Sequence, residues 1–526
     1  MKILSFKPGH DGSIAYVSNG KLLEVIEAEK DNNKRYSELA LENFILDGSF
    51  SSNVFALSGW SYQNPEGRLI GSGYTGLKLP ERQTDSFFSS KVPLYSSSHE
   101  RSHILCSYAL SPYPQGQPCY CILWEGYIGA FYYIDKHLNI TKLKNIMHSP
   151  GEGYSFAYAL CDKKFNLPEG GIRLGDAGKL MALAAFDYNR NKISSEEREC
   201  LNKIFENPNK KPNLCKSKFQ KSPFYDCGIA SDRSKRLARL VSNYIYEYFF
   251  NEIKSHVNEH IPLLISGGCG LNCDWNRGLL DSGLFADVFV PPVTNDSGSS
   301  IGTAADVQFF LTGNGKLNWN VYSGQSFIDD LQLENVNKVH NYVAVSYTPE
   351  KTARMINHGA IIAWTSGKME IGPRALGNRS ILAEPFNQET TNRLNRIKKR
   401  EDFRPIAPIC MIEDTKSLFD FDRESPYMLF FTKVLSSKLK AITHVDGSAR
   451  VQTVNKTQNE EIYALLKAFK DVTGYGVLCN TSLNFHHHGF INRSSDLIRY
   501  VSENHIDGFY VNGKLFIKNI ERFGLD

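Results

Sequence analysis

The amino-acid sequence predicts an α/β protein of two domains, and three observations support this prediction. The chain begins with short apolar segments separated by turns, including an Asn19-Gly20 turn that is typical of a β-hairpin. Helical patterns follow, and a new series of strand and helix patterns begins after residue 343. With 526 residues, the chain also exceeds the size at which one hydrophobic core usually stops growing. We therefore expect a first domain at residues 1–335 and a second at residues 340–526.

The first domain shows two sets of strand patterns, each followed by helical patterns. In chain order, the predicted elements are strands at Ile3–Phe6, Ile14–Val17 and Leu22–Ile26, a helix at Ser98–Leu110, strands at Tyr120–Trp124 and Ile128–Ile134, helices at Leu180–Phe186 and Asp232–Phe250, and a buried strand at Pro262–Ser266. The last of these strands enters a glycine turn. Strand sets that repeat in this way fit a duplicated fold.

A polar interval between Gly313 and Val343 carries the predicted domain boundary, because it has little periodic apolar signal. The elements predicted beyond it are a strand at Val343–Tyr347, a helix near Glu350–Asn357 and a strand at Ile361–Trp364. Much of the segment His444–Gln452 alternates polar and apolar residues, which predicts a further strand. The second domain therefore starts its own α/β pattern.

Composition excludes several classes of protein. The chain is 41% hydrophobic and 22% charged, which is too apolar for a disordered protein. Its 60 basic and 56 acidic side chains give no reason to expect nucleic acid as the main partner. Eleven cysteines form no Cys-x-x-Cys pair, and no zinc pattern is present. The start lacks a signal-peptide pattern and no run is long enough to span a bilayer, so we expect a cytoplasmic protein with reduced thiols and no membrane association.

Two dense cationic segments predict a pocket for a polyanion. Met369–Ser380 holds two arginines, a glutamate and two glycines, and Lys398–Pro405 follows it closely. The guanidinium group of arginine suits a two-point grip on phosphate or carboxylate, and glycine lets the backbone approach a ligand. The alternative is a charged surface helix, but such a helix does not require Gly-Pro-Arg-Ala-Leu-Gly-Asn-Arg in this order. We favour the ligand site.

These segments, together with Asn480–Asn484, resemble the O-carbamoyltransferase family. Its members include the nodulation-factor, cephem-antibiotic and aminoglycoside carbamoyltransferases. The resemblance extends from His10 to about Tyr510. It implies an N-terminal actin-like ATPase domain with the duplicated RNase H-like fold, followed by a YrdC-like α/β domain. In the family, the first domain transfers the carbamoyl group and the second makes carbamoyl-adenylate.

Histidines and carboxylates in the first domain predict a metal site. His99 and His103 stand four residues apart, so a helix places both imidazoles on one face; helical surface pairs at this spacing are also common. Asp296 lies in a loop before a predicted helix, and two histidines with a carboxylate are typical of iron or zinc. The trio resembles the metal site of the tRNA threonylcarbamoyl-transfer ATPases, which implies iron(II), with zinc or manganese as alternatives. Glu125 stands where carbamoyltransferases often have an aspartate, and either binds the metal or faces water.

Two glycine turns and a lysine are predicted to contact a nucleotide. Gly267, Gly268 and Asn272 follow an apolar strand, and Gly298 precedes a predicted helix; exposed backbone amides in such turns suit phosphate. Lys179 matches a family segment that lies near the nucleotide, although a solvent lysine is a close alternative. These positions imply ATP, with Mg²⁺ accompanying it.

The resemblance also assigns residues to the chemistry. In the second domain, Arg374, Lys398 and Arg404 match the cations that hold phosphate, Ser482 matches a phosphate-binding hydroxyl, and Asn480 lies in the same motif. Cations there would stabilise charge as it moves to the leaving group. Arg379, Lys399 and Arg400 are further candidates, one of which is expected to pair with Glu370 or Glu401.

His10 lies at the tip of the first hairpin, where the family places a histidine beside the acceptor hydroxyl. A histidine can take up that proton near neutral pH. The alternative is a turn histidine stabilised by Asp11.

The expected function is an ATP-dependent O-carbamoyltransferase. Carbamoyl phosphate and ATP would give carbamoyl-adenylate in the second domain, and the first would pass the carbamoyl group to a hydroxyl of a sugar or natural product. A tRNA-modifying enzyme that makes threonylcarbamoyladenosine is one alternative, although a net charge of +4 suggests no RNA-binding face. A catalytically silent nucleotide-binding protein is another. The acceptor and homodimer formation stay open.

Overall fold

The computed structural model describes residues 1–40, 52–61, 69–85, 91–165, 167, 171, 173–187, 192–519 and 521–523. Its first sheet contains β1 (Lys2–Lys7), β2 (Ser13–Ser18), β3 (Lys21–Glu27), β4 (Val54–Ser58), β7 (Glu81–Thr84) and β8 (Leu94–Ser97), and the pair β5 (Trp60–Ser61) and β6 (Leu69–Ile70) stands apart. Its second sheet contains β9 (Cys119–Trp124), β10 (Gly129–Ile134), β11 (Ile140–Asn145), β12 (Leu263–Ser266) and β13 (Val288–Phe289).

Apart from β7 at the edge of the first sheet, the two sheets share one strand order. The first runs β3-β2-β1-β4-β8-β7 and the second β11-β10-β9-β12-β13. In each, three strands form an antiparallel meander, and the first strand of the meander pairs in parallel with the next strand along the sheet. The predicted duplication is therefore present, and it places the ends of β1 and β9 at equivalent positions.

Helices cover the sheets and occupy the space between them. The α-helices are Ala28–Asp31, His99–Leu110, Pro150–Cys161, Asp176–Ala184, Ser195–Ile204, Asp232–Lys254, Cys273–Asp281, Ser299–Thr312, Pro349–Asn357, Gln388–Ile397, Ile412–Leu418, Glu460–Thr473 and Ser494–Glu503. Among the residues that the structure describes, no helix combines the length and apolar character needed to cross a membrane.

A third sheet of mixed direction follows. It contains β14 (Lys338–Val339), β15 (Tyr342–Ser346), β16 (Ile362–Thr365), β17 (Arg379–Ala383), β18 (Ala407–Met411), β21 (Gln452–Val454), β22 (Val477–Ser482), β23 (Gly508–Val511) and β24 (Lys514–Ile517), and the pair β19 (Thr432–Lys433) and β20 (Ser448–Ala449) lies outside it. The segment before this sheet contacts both halves, because Leu22 N donates to Asn318 O and Gly324 N donates to Met369 O. The fold is mixed α/β; the YrdC-like assignment and the division at residues 335–340 stay predictions.

Most predicted elements are confirmed with small shifts at their ends, but the strand predicted at His444–Gln452 is confirmed only in part. Only Ser448–Ala449 and Gln452–Val454 are extended there. Gly447 has a φ of 78°, which favours glycine and turns the chain before the first of these short strands.

Candidate active site between the first and third sheets

The two histidines predicted to bind a metal lie on one face of a helix. Ser98 caps that helix, because its Oγ accepts a hydrogen bond from Arg101 N at 3.1 Å. The helix crosses Ser299–Thr312 at close range: a Cβ added to Gly302 would lie 1.8 Å from Ser102 O. Glycine at this crossing therefore lets the histidine helix lie against the segment that carries Asp296.

Four buried side chains converge in this place. The metal-ligating atoms of His99, His103, Glu125 and Asp296 all lie within 4.8 Å of one another. His103 Nε2 is 3.1 Å from His99 Nε2 and 3.2 Å from Asp296 Oδ1. Glu125 Oε2 lies 3.4 Å from His99 Nε2. Two imidazoles and two carboxylates around one point form a donor set that fits iron, zinc or manganese.

The charges of this cluster suit a cation. Burial lowers the pKa of His99, which favours the neutral, ligating form. Burial opposes ionisation of Asp296, but the charge of Lys7, together with the neighbouring histidines, outweighs it and holds the pKa of this carboxyl well below its usual range. The pKa of Glu125 is also lowered. Burial alone would raise it, but the hydrogen bond with His99 stabilises the carboxylate more strongly. The four groups thus present two carboxylates and a neutral His99.

Three neighbours of this cluster were not predicted from the sequence. Lys7 is fully buried, and its Nζ lies 3.1 Å from Asp296 Oδ2 and 4.0 Å from the centre of the Trp60 ring. Tyr74 stacks on His99 at 4.4 Å and donates its hydroxyl to Glu125 Oε1 at 2.7 Å. For Lys7, the sequence offered one indication, which is a charged residue directly after the apolar segment Ile3–Phe6.

His10, the predicted base, lies beside the four-residue cluster. Its Nδ1 is 3.1 Å from Asp11 Oδ2, and its Nε2 is 3.7 Å from Asp296 Oδ2. An N–H at Nδ1 donates to Asp11, so Nε2 is left with a lone pair. Burial opposes protonation of His10, but the carboxylate of Asp296 outweighs it and raises the pKa of the imidazole.

The glycine turns serve close packing at several of the predicted nucleotide positions. Gly267 has a φ of 88°, and a Cβ there would lie 2.3 Å from Trp124 O. Gly268 has open space around it. The side chain of Asn272 caps a helix by accepting from Asp274 N at 3.1 Å. The amide of Gly298 donates to a backbone carbonyl at 3.0 Å, so the contact predicted at Gly298 gains no support from the geometry.

The basic side chains predicted to bind phosphate lie close together. Burial and the charges of Arg450 and Arg404 lower the pKa of Arg374 to about 9. Burial and Arg404 lower the pKa of Arg400 to about 9 as well. Burial and Arg400 lower the pKa of Lys398 well below its usual range. Buried cations that repel one another indicate a site for an anion of several charges.

Lys398 also organises the motif that carries Ser482. Its Nζ donates to Ser482 O at 2.6 Å and to Asn484 O at 3.0 Å, and Ser482 Oγ donates to Asn484 Oδ1 at 2.6 Å. Asn480 Nδ2 donates to Ala375 O at 3.1 Å, which joins β22 to the Arg374 loop. The predicted residues from three segments therefore form one arrangement.

The first half of the chain also contributes to this cationic cluster. Arg374 Nη2 donates to Leu271 O at 3.0 Å, in the glycine turn after β12. Lys179 Nζ lies 3.3 Å from Glu401, so Lys179, and not a neighbouring arginine, is the partner of this glutamate. Arg35, to which the sequence assigned no chemistry, is close enough to Lys398 to lower its pKa. The cluster thus lies at the junction of the two halves.

The histidine triplet His486–His488 lies in a turn beside this cluster. His487 has a φ of 62°, and His486 Nδ1 is 3.3 Å from Lys398 O. The side chains are exposed. The triplet therefore lies at the solvent-exposed edge of the cationic cluster.

Sequence comparisons agree with the geometry. The family described as carbamoyltransferase N-terminus matches residues 83–305, and the family described as carbamoyltransferase C-terminus matches residues 353–518. A 3'-hydroxymethylcephem-O-carbamoyltransferase of Amycolatopsis lactamdurans is 43% identical over 97% of this chain and 98% of its own length. The protein of that description from Streptomyces clavuligerus is 43% identical over 95% of this chain and 96% of its own. Nodulation protein U of Sinorhizobium fredii is 31% identical over 98% of this chain and 99% of its own.

Proposed function

This chain belongs to the carbamoyltransferase family of enzymes, and we propose that it transfers a carbamoyl group to a hydroxyl of a small-molecule acceptor in two steps, the first of which consumes ATP. The observation that carries the proposal is the position of two clusters with complementary chemistry. One cluster, of histidines and carboxylates, lies beside His10. The other, of buried cations, lies where the two halves of the chain meet.

In the first step, the cationic cluster binds phosphate groups. Carbamoyl phosphate is cleaved by water, and the carbamate oxygen then attacks the α-phosphorus of ATP, so that carbamoyl-adenylate forms and pyrophosphate leaves. Arg374, Lys398 and Arg404 hold the phosphate oxygens and stabilise the charge that builds up on the leaving pyrophosphate. Ser482 turns its hydroxyl from Asn484 Oδ1 to a phosphate oxygen when the substrate binds, while Lys398 holds the Ser482 backbone in place.

In the second step, the acceptor hydroxyl attacks the carbamoyl carbon and AMP leaves. Nε2 of His10 accepts the hydroxyl proton, and the hydrogen bond of Nδ1 with Asp11 fixes the orientation of the ring. His99, His103, Glu125 and Asp296 would hold the divalent metal, iron(II) in the first instance. Such an ion would polarise the carbamoyl carbonyl as a Lewis acid.

A hydroxymethyl group on a cephem is the acceptor that we propose to test first, because the relatives at 43% identity bear that substrate in their description. The purified protein is incubated with ATP, Mg²⁺, carbamoyl phosphate, iron(II) and 3'-hydroxymethylcephem, and mass spectrometry follows the carbamoyl mass gain. A carbamoylated cephem, formed together with AMP and pyrophosphate, supports both steps. A folded protein that consumes neither ATP nor carbamoyl phosphate contradicts the proposal.

A further inference from the structure

A buried ion pair lies between the two clusters and touches a loop of each. Glu27 and Lys30 are 4% and 2% exposed, and Lys30 Nζ donates to Glu27 Oε2. The pair stands where β3 passes into the short helix Ala28–Asp31. No role has been assigned to either residue in the two steps above. Their hydrogen bonds show where the pair acts.

Lys30 forms hydrogen bonds with the loop that carries Arg374. Its Nζ donates to the carbonyl oxygens of Glu370 and Gly372, both at 2.7 Å. Gly372 N in turn donates to Glu27 Oε2 at 3.1 Å. Three hydrogen bonds therefore hold the backbone of this loop two residues before the guanidinium group that we assign to phosphate.

Glu27 reaches the loop that carries Asp296. Ser297 Oγ donates to Glu27 Oε1 at 3.0 Å, so the hydrogen-bonded path runs from Ser297 through the ion pair to Gly372. The two loops also touch directly, because a Cβ on Gly372 would lie 2.1 Å from Pro292 O. These contacts therefore leave little room for the distance between the two loops to change.

We propose that Glu27 and Lys30 are positioning residues that fix the distance between the adenylate-forming and carbamoyl-transfer sites. This inference rests on the proposed function. Glu27 accepts hydrogen bonds from one loop of each site, Lys30 donates to the Arg374 loop and to Glu27, and a buried pair leaves no charge without a partner. Because the distance is fixed, the activated carbamoyl group reaches the acceptor oxygen before water attacks it. If water attacks instead, the carbamoyl carbon becomes carbamate, AMP leaves, and the ATP is spent without product.

The test measures the ratio of carbamoylated acceptor to pyrophosphate in the full-length enzyme. Two variants are used: Ser297→Ala, which removes one hydroxyl, and the double variant Glu27→Gln with Lys30→Met, which removes the pair without leaving a lone charge. The matched control is Arg236→Met with Glu197→Gln and Asp187→Asn, because Arg236 pairs with both carboxylates (2.8 and 3.0 Å) in a largely buried cluster of the first half, and the triple variant leaves no lone charge.

We expect pyrophosphate release to continue in both variants while product per pyrophosphate falls by about tenfold or more in the double variant, since small misplacements are costly in transfer reactions. Ser297→Ala should show a smaller fall, and the control should keep the wild-type ratio at an unchanged or lower total rate. A wild-type ratio in Ser297→Ala and in a folded double variant overturns the inference. An equal fall in the control shows a general effect on the fold and also overturns it. An inactive wild-type enzyme instead removes the proposed function on which the inference depends.

Discussion

The Nε2 atoms of His99 and His103 lie 3.1 Å apart, within a buried cluster that also holds two carboxylates. Two nitrogens at this distance cannot both carry a hydrogen that points at the other, so at least one presents a lone pair. Asp296 Oδ1 lies 3.2 Å from His103 Nε2. A divalent cation would satisfy the nitrogen lone pairs and the carboxylates together.

The first prediction is that His103→Ala loses the metal but keeps the adenylation step. Removal of one of four donors should weaken binding of iron(II) or zinc by about a hundredfold or more. Metal content after dialysis is measured by elemental mass spectrometry, and pyrophosphate release is measured in parallel. We expect carbamoyl transfer to fall with metal content while pyrophosphate release remains.

The exposed His137 supplies the control for this experiment. It lies in a surface turn after β10, so His137→Ala should retain metal and transfer at the wild-type level. Equal metal content in His103→Ala and wild type would contradict the assignment of the cluster.

The second prediction is that polyphosphate stabilises the protein. Arg374 and Arg400 are charged near neutral pH, because their lowered pKa values of about 9 still lie above it. Their mutual repulsion, with Lys398 nearby, therefore opposes folding until an anion binds. Pyrophosphate or ATP should raise the melting temperature by several degrees, and added salt should reduce the gain.

Two arginine variants test this assignment. Arg374→Met should remove most of the gain from pyrophosphate. Arg396→Met should keep it, because Arg396 is two-thirds exposed on a neighbouring helix and pairs with Glu389. A gain of the same size in both variants would place the anion elsewhere.

Periodicity and motif order predicted those parts of the site that depend on local structure. The helical period of 3.6 residues places His99 and His103 on one face, and the Ser98 cap explains where that helix begins. The link to Asp296, almost two hundred residues later, came from resemblance, because no local pattern reports a pairing between distant loops.

Packing gives some residues contacts that the sequence did not predict. Asn272, predicted at a nucleotide, caps a helix; an amide side chain between a strand and a helix suits both roles. Lys179, predicted at phosphate or solvent, pairs with Glu401 from the other half. Lys7 was missed, because a lysine at the end of an apolar strand shows neither its burial nor its contact with Asp296.

The third prediction concerns pH. A bound phosphate favours the charged guanidinium, so it raises the pKa values of Arg374 and Arg400 above their free-protein values of about 9. Binding of ATP near pH 9 should therefore take up protons, and affinity should fall as the pH rises through that value. Below it both arginines are already charged, so they add no further pH dependence to the affinity.

Calorimetry in buffers of different ionisation enthalpy measures this proton uptake. Arg400→Met should reduce the uptake, and Arg396→Met should leave it unchanged. Binding at pH 9 with no proton exchange would show that these arginines do not contact the nucleotide.

The fourth prediction compares two glycines with the same φ. Gly372 and Gly359 both have a φ of 86°, but a Cβ on Gly372 would lie 2.1 Å from Pro292 O, whereas a Cβ on Gly359 meets nothing within 4 Å. Gly359→Ala should cost about 1 kcal/mol in unfolding free energy from backbone strain alone. Gly372→Ala should cost about 3 kcal/mol, because the clash adds to the strain. Urea midpoints measure both, and equal losses would mean that the contact between the Arg374 loop and the Asp296 loop is loose enough to absorb a methyl group.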